Sequence, residues 1–229
     1  MARAWMSWSS GKDSALALDS VRRSGTDVVR LLVTFNHEAD RVAMHAVRRQ
    51  LVAAQADRLD IPVFSVELPS LCTNAEYEAR MADALRVAHH DRVDEIVFGD
   101  LFLEDIRAYR ELAMAGTGVV PMFPLWGRPT DELARGMIDV GIRAVVTCVD
   151  PRQLDASFAG RWFDRDFLRD LPPQVDACGE HGEFHTFVCD GPGFSRPIDV
   201  TVGEVVERDG FVFADVLCSE IEPAPTTIG

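Results

Sequence analysis

The stretch Ser7–Leu18, SWSSGKDSALAL, decides the fold. It joins a short apolar run, Arg3–Trp8 (RAWMSW), to a run with helical periodicity, Ser14–Arg23 (SALALDSVRR). The first reads as a buried strand and the second as the helix that follows it, with Asp13 or a neighbouring Ser as its cap. Ser9, Ser10, Gly11, Lys12, Asp13 and Ser14 lie at the join. A strand–glycine–helix join aims free backbone N–H groups and the positive end of a helix at one point, which favours an anion. Gly11 lets the backbone approach that anion closely. The Walker A spacing G-x-x-x-x-G-K-[ST] is not met, because Met6 stands five before Gly11 and Asp13 follows Lys12. The dinucleotide pattern G-x-G-x-x-G is absent as well. Asp13 repels a bare phosphate but suits one that carries Mg²⁺.

Working outward, Val28–Phe35 (VVRLLVTF) is a continuous apolar run of the kind buried in a parallel sheet. A long helix is predicted over Asp40–Leu59, a strand over Ile61–Pro69, and a helix over Asn74–His90 capped by Asn74. A strand over Glu95–Asp100, a helix over Asp105–Ala115 and a proline-interrupted strand over Val119–Trp126 follow. This alternation predicts a doubly wound α/β fold, a Rossmann-like parallel sheet with its ligand at the carboxyl ends of the strands. After Trp126 the pattern changes. A helix near Thr130–Val140 leads to the strand Arg143–Asp150, then to a mixed segment whose Trp162, Phe163 and Phe167 are expected as core between two domains. A loop-like Gly- and Glu-rich segment spans Ala177–Phe194, and alternating antiparallel strands from Ile198 onward turn at Arg208–Gly210. The division expected is a nucleotide-binding domain at 1–126 and a smaller α+β substrate-binding domain at 127–229, with no internal repeat.

Composition narrows the function. A net charge of −14 over 229 residues opposes a grip on nucleic acid. No apolar run approaches the roughly 20 residues of a membrane helix, and MARAWMSW reads as a buried strand rather than a signal peptide. Five scattered cysteines suit a reducing, cytoplasmic compartment. A homo-oligomer is compatible with all of this. Of the 23 Lys and Arg residues only Lys12 is a Lys. A compact ammonium is not interchangeable with a planar guanidinium, so its retention inside the glycine loop points to chemistry.

Other candidates follow from position. Thr34, Phe35 and Asn36 end the second strand, where adenine contacts are expected, and Gly99 and Asp100 end the fourth. Asp13 and Asp100 are candidate Mg²⁺ ligands, each with helix capping as its plainer reading. Glu180 and Glu183 lie three apart among glycines, as a solvated acidic turn or as groups that take a proton. Cys178, His181, His185 and Cys189 have a spacing that matches no common zinc finger, and a strand there would turn alternate residues to opposite faces. Arg41, His45 and Arg48 would form a basic stripe on the Asp40–Leu59 helix, a solvated face or a phosphate contact.

SSGKDS resembles the S-G-G-x-D-S signature of the PP-loop ATP pyrophosphatases, with Ser10 standing where that pattern often has Gly. GDLFLEDIRAYRE, FPLWGRPTDEL and above all GEHGEFHTFV resemble the diphthine–ammonia ligase branch, the diphthamide synthase or ATP-binding domain 4 family, over nearly the whole chain. The resemblance implies an enzyme that uses ATP and Mg²⁺ to adenylate a carboxylate, releases pyrophosphate, and forms an amide with ammonia. Ser9, Ser10, Gly11, Lys12, Asp13 and Ser14 would then bind the pyrophosphate, with Lys12, Asp13, Glu180 and Glu183 catalytic. Gly179, Glu180, Gly182, Glu183, His185 and Thr186 would bind the acceptor. Diphthine, a modified histidine of an archaeal and eukaryotic elongation factor, is the acceptor implied; a bacterial origin for the Arg-rich composition would point to another carboxylate, a small metabolite. A tRNA-modifying PP-loop enzyme would show a basic face. A non-catalytic ATP or AMP sensor would not need the second domain. A simple ATP pyrophosphatase is the third alternative.

Overall fold

The computed structural model of the chain describes residues 1–42 and 46–219. The first sheet contains β1 (Arg3–Ser7), β2 (Asp27–Asn36), β3 (Arg41–Val42), β4 (Val63–Leu68), β5 (Glu95–Val97) and β6 (Val120–Met122). Five of these run parallel in the order β4-β2-β1-β5-β6. Between them lie α1 (Lys12–Arg23), α2 (Arg49–Leu59), α3 (Asn74–His90) and α4 (Glu104–Met114). The alternation of side chains along β1 separates the two layers. Ala4 and Met6 pack with Leu16, Leu18 and Val21 of α1 and with Leu51 and Val52 of α2. Trp5 points the other way, into a cluster with Ala84, Leu85 and Ala88 of α3 and Met114 of α4. The fold is the α/β parallel sheet that the alternating pattern predicts.

The second sheet is antiparallel: β7 (Arg143–Val149), β8 (Phe184–Asp190), β9 (Val200–Arg208) and β10 (Phe211–Cys218), in the order β8-β7-β10-β9. Helices α5 (Thr130–Asp139) and α6 (Arg165–Asp170) precede and interrupt it. Asp209 and Gly210, both at positive φ, make the tight turn between β9 and β10. Its core is continuous with the α1 face of the first sheet, through Val145, Phe167, Phe184 and Phe187.

Four expectations need correction. The helix expected over Asp40–Leu59 begins only at Arg49. Before it, Asp40 and Ala46 take left-handed φ values of 50° and 55°, and Arg41–Val42 pair antiparallel with Asn36 and Phe35. Arg41 and Arg48 therefore form no helical stripe; both guanidiniums bind Asp215 of β10, and His45 lies outside the described residues. Thr73, not Asn74, caps α3, in a reciprocal capping box with Glu76. The segment expected as loop through Ala177–Phe194 contains β8, which pairs with β7. Of the three aromatics expected in the core, Phe163 and Phe167 are buried, but Trp162 is partly exposed and has Arg143 over its ring.

Candidate active site

The loop after β1 opens into a cavity of about 630 Å³. Ser9, Gly11, Lys12, Asp13 and Ser14 line it from the loop, Gly99 and Asp100 from the end of β5, and Arg110 from α4. Gly179, Glu180, Gly182, His185 and Thr186 line it from the second sheet. Residues far apart in the sequence thus share one hollow at the carboxyl ends of the parallel strands.

The loop is locked from behind. Ser10 takes a left-handed φ of 70°, unusual for a residue with a side chain, and its buried hydroxyl has no partner. Its carbonyl accepts N–H groups from Val188 of β8 and from the Gln55 side chain. Gly11 precedes α1 with no side-chain cap. The cap comes instead from the second sheet, where Thr186 Oγ1 accepts the Lys12 N–H at 3.1 Å. This corrects the expectation that Asp13 or a Ser caps the helix. Ser14 donates its hydroxyl to the Gly11 carbonyl and lies 3.2 Å from Ser9 Oγ. The first turn of a helix leaves amides without a partner inside the helix, and such amides suit an anion. Gly99 supports this end closely; a Cβ there would lie 3.0 Å from the backbone of Asp13 and Ser14.

Lys12 does not reach out as a free cation. Its side chain is buried, bound to Asp13 at 2.9 Å and to the carbonyl of Cys178, and its ammonium lies over the rings of Phe184 and Phe163 at 5.1 and 5.5 Å. Burial pulls its pKa down, but the negative charge around it, Asp13 first, outweighs that and leaves it above the ordinary value. Lys12 is therefore a charged tether between the loop and the second sheet. Asp13 uses Oδ2 for Lys12, while its Oδ1 is buried without a partner. Asp100 is held at both oxygens by Arg110, at 2.7 and 3.1 Å. Asp13 thus fits a Mg²⁺ carried in by phosphates, with one open carboxylate oxygen facing the need, whereas Asp100 already has its cation. No group of three or more His, Cys, Asp or Glu side chains gathers as a metal site among the described residues. Cys178 and Cys189 donate their thiols to the carbonyls of Thr130 and Arg143.

Glu180 and Glu183 part company. Glu180 lines the cavity, and its Oε1 accepts the Leu101 N–H at 2.8 Å. Burial raises its carboxyl to about 7, helped by Asp13 and Asp100 and opposed by the Leu101 bond. Glu183 is buried and points away from the cavity; its Oε1 accepts the Asp176 N–H at 2.9 Å. Asp176 in turn accepts the N–H groups of Cys178 and Glu180. Glu183 therefore shapes the turn that carries Glu180. Gly179 permits that turn, with φ 70° and no room for a Cβ, which would lie 2.8 Å from the Phe184 carbonyl. The imidazole of His185, pushed down to about 4 by burial and by Lys12, is neutral at pH 7.

Thr34, Phe35 and Asn36 do not line this cavity. Phe35 is buried beneath the guanidinium of Arg49, 3.8 Å from its ring. Asn36 accepts N–H groups from Glu38 and Ala39 and lines a separate hollow of about 340 Å³ with Ser70, Arg208 and Phe213. Two participants escaped the sequence reading: Arg110 and the Leu101 amide. The signal for Arg110 was its place ten residues after Asp100, two turns into a helix that starts beside the strand end.

Two family models match the chain: the diphthamide synthase N-terminal domain over residues 2–119 and the diphthamide synthase C-terminal domain over residues 129–216. The chain is 26% identical to diphthine–ammonia ligase of Homo sapiens over 91% of its own length and 86% of that protein. It is also 26% identical to diphthine–ammonia ligase of Danio rerio, over 91% of itself and 90% of that protein. A solved structure titled as a predicted subunit of tRNA methyltransferase from Methanocaldococcus jannaschii superposes with a TM-score of 0.42 at 13% identity, over 62% of this chain and 77% of that one. A glycine loop sealed by a second sheet, a carboxyl group poised beside it, and two domain models that together span most of the chain agree: the chain belongs to the diphthamide synthase family of ATP-dependent, amide-forming ligases.

Proposed function

We propose that the cavity adenylates a carboxylate with ATP and joins it to ammonia. The observation that carries this reading is the placement of Glu180, whose carboxyl, pushed up to about 7 by burial, shares one cavity with the glycine loop. An acceptor carboxylate oxygen attacks the α-phosphorus of ATP, and pyrophosphate leaves. Ammonia then attacks the acyl carbon, the bond to AMP breaks, and the nitrogen sheds a proton. The first step needs a place for a departing polyanion, which the Gly11–Ser14 turn supplies with N–H groups, the Ser9 and Ser14 hydroxyls and a helix end. Mg²⁺, when bound, neutralises charge on the phosphates, and Asp13 is the residue with an open oxygen for it. The second step needs a base near neutral pH, and Glu180 meets that requirement. Neutral His185 adds a hydrogen-bonding group without competing for the proton. Thr186 and Lys12 hold the two halves of the site in register, and Glu183 shapes the turn that carries Glu180. The acceptor is a carboxylate of the diphthine type, as the names of the relatives suggest, or a smaller one of the same chemistry.

The test follows AMP and pyrophosphate from ATP with Mg²⁺ and ammonium, against elongation factor bearing diphthine and against a panel of small carboxylates. AMP that appears with one acceptor and requires ammonium for amide formation is the expected result. ADP and phosphate as products, or ATP bound with no turnover under any condition, would overturn the reading. No helix among the described residues is long and apolar enough to cross a membrane.

A further inference from the structure

Of the two cations that line the cavity, one keeps a donor that the protein leaves unused. The lining holds the carboxyl groups of Asp13, Asp100 and Glu180, and the two cations Lys12 and Arg110. The Lys12 ammonium is spent on Asp13 and the Cys178 carbonyl. Arg110 differs. Its Nε and Nη2 bind the two oxygens of Asp100, and its guanidinium lies 4.3 Å from the Phe98 ring. Nη1 has no protein partner among the described residues, and the side chain keeps 24% of its exposure. A guanidinium clamped at one edge by a carboxylate and at one face by an aromatic ring loses little freedom when its remaining donors meet an oxyanion. Asp100 itself is more buried, at 15%. The pair is thus built to hold the cation, not to present the acid.

We infer that Arg110 binds the phosphate tail of the nucleotide, and that Asp100 is the positioning residue that orients it. The inference rests on the reading above that the cavity takes ATP. A polyphosphate brings several negative charges into a hollow whose carboxyl groups repel it and whose Lys is already paired. N–H groups of the loop supply dipoles, and Arg110 supplies a guanidinium donor that its pairing with Asp100 leaves unused. The sequence-level expectation that Asp100 ligates Mg²⁺ is replaced by a role through Arg110.

The experiment is titration calorimetry at fixed ionic strength with inorganic pyrophosphate, ATP and AMP. The proteins are the wild type, R110M, D100N and the double variant D100N/R110M, each checked for a native melting transition. R110M should bind pyrophosphate and ATP about 10- to 100-fold more weakly, with AMP changed less than about threefold. The double variant removes the orphaned acid that R110M leaves, so it melts closer to the wild type but binds pyrophosphate as weakly as R110M. D100N, which keeps only one acceptor oxygen for the guanidinium, should bind pyrophosphate about 3- to 10-fold more weakly, and wild-type affinity in D100N would remove its positioning role. Wild-type affinity for pyrophosphate in R110M would overturn the inference. So would its recovery in the double variant, since Arg110 would then serve only to neutralise Asp100, and so would an equal loss for AMP, which marks general damage. A wild type that binds neither ATP nor pyrophosphate would remove the nucleotide reading itself; one that binds both while R110M is unimpaired would remove only Arg110.

Discussion

Glu180 Oε1 accepts the amide N–H of Leu101 at 2.8 Å, across 79 positions of the chain. The bond joins the second sheet's turn to the loop after β5 and fixes a carboxyl inside the cavity. One amide donor favours the carboxylate, but burial and the neighbouring Asp13 and Asp100 win, and the group titrates near 7.

That titration gives the first prediction. As a base, Glu180 works when ionised, so amide formation should climb as pH rises through about 7. Glu180→Gln should lose this climb and most of the rate, on the order of 100-fold. Stability moves in the opposite sense. The folded pKa lies above the unfolded one, so the folded state holds the proton more tightly between about 4.5 and 7. The native state therefore loses stability as pH rises across that window, and E180Q should melt higher than the wild type at pH 8 and like it at pH 4. Melting curves at both pH values check this.

Lys12 and Asp13 form a largely buried pair with the Cys178 carbonyl as third partner. Lys12→Met leaves Asp13 with no counter-ion and should cost about 3 kcal/mol by urea denaturation. Lys12→Arg should not rescue it, because a planar guanidinium does not reproduce the contacts of a compact ammonium with Asp13, the Cys178 carbonyl and the two rings. A K12R protein as stable as the wild type would refute the tether.

Thr186 caps a helix from another sheet. Thr186→Val keeps the volume and removes the acceptor for the Lys12 N–H, at a cost of about 1–2 kcal/mol. Thr186→Ser should keep most of the stability. Equal melting of both variants would show that the bond carries nothing.

Gly99 and Ser10 make opposite demands on a side chain. Gly99→Ala pushes a methyl group against the Asp13 and Ser14 backbone and should weaken ATP binding by at least about tenfold. Ser10 sits at φ 70° with its hydroxyl unpaired. Ser10→Gly relieves that strain and the buried hydroxyl, offset in part by a freer unfolded chain, and should stabilise by up to about 1 kcal/mol. Titration calorimetry with ATP checks the first variant, and equilibrium unfolding the second.

The parallel domain and the loop were legible because their signals are local. An apolar run, a glycine and an amphipathic run are contiguous at Ser7–Leu18, and side-chain periodicity reports the neighbouring elements. Arg41 and Arg48 misled, since their residue types suit a helix while their guanidiniums are drawn to Asp215 of β10, far away in sequence. The Gly-rich segment before Asp190 read as loop because half of it is one; the strand in it exists by pairing with β7.

Within the site the split is sharper. Sequence alone determined that a glycine–lysine loop follows the first strand and opens a helix, and that a Gly- and Glu-rich segment elsewhere carries acidic groups. It treated Glu180 and Glu183 alike, and it offered Lys12 to the phosphate and Asp100 to a metal. Only the tertiary structure turned Glu180 into the cavity and Glu183 into the turn beneath it, tied Lys12 to Cys178, and gave Asp100 to Arg110. The reason is physical. A side chain's chemistry is local, but its pKa, its partner and its direction depend on burial and charge, which come from segments that meet only when the two sheets share a core.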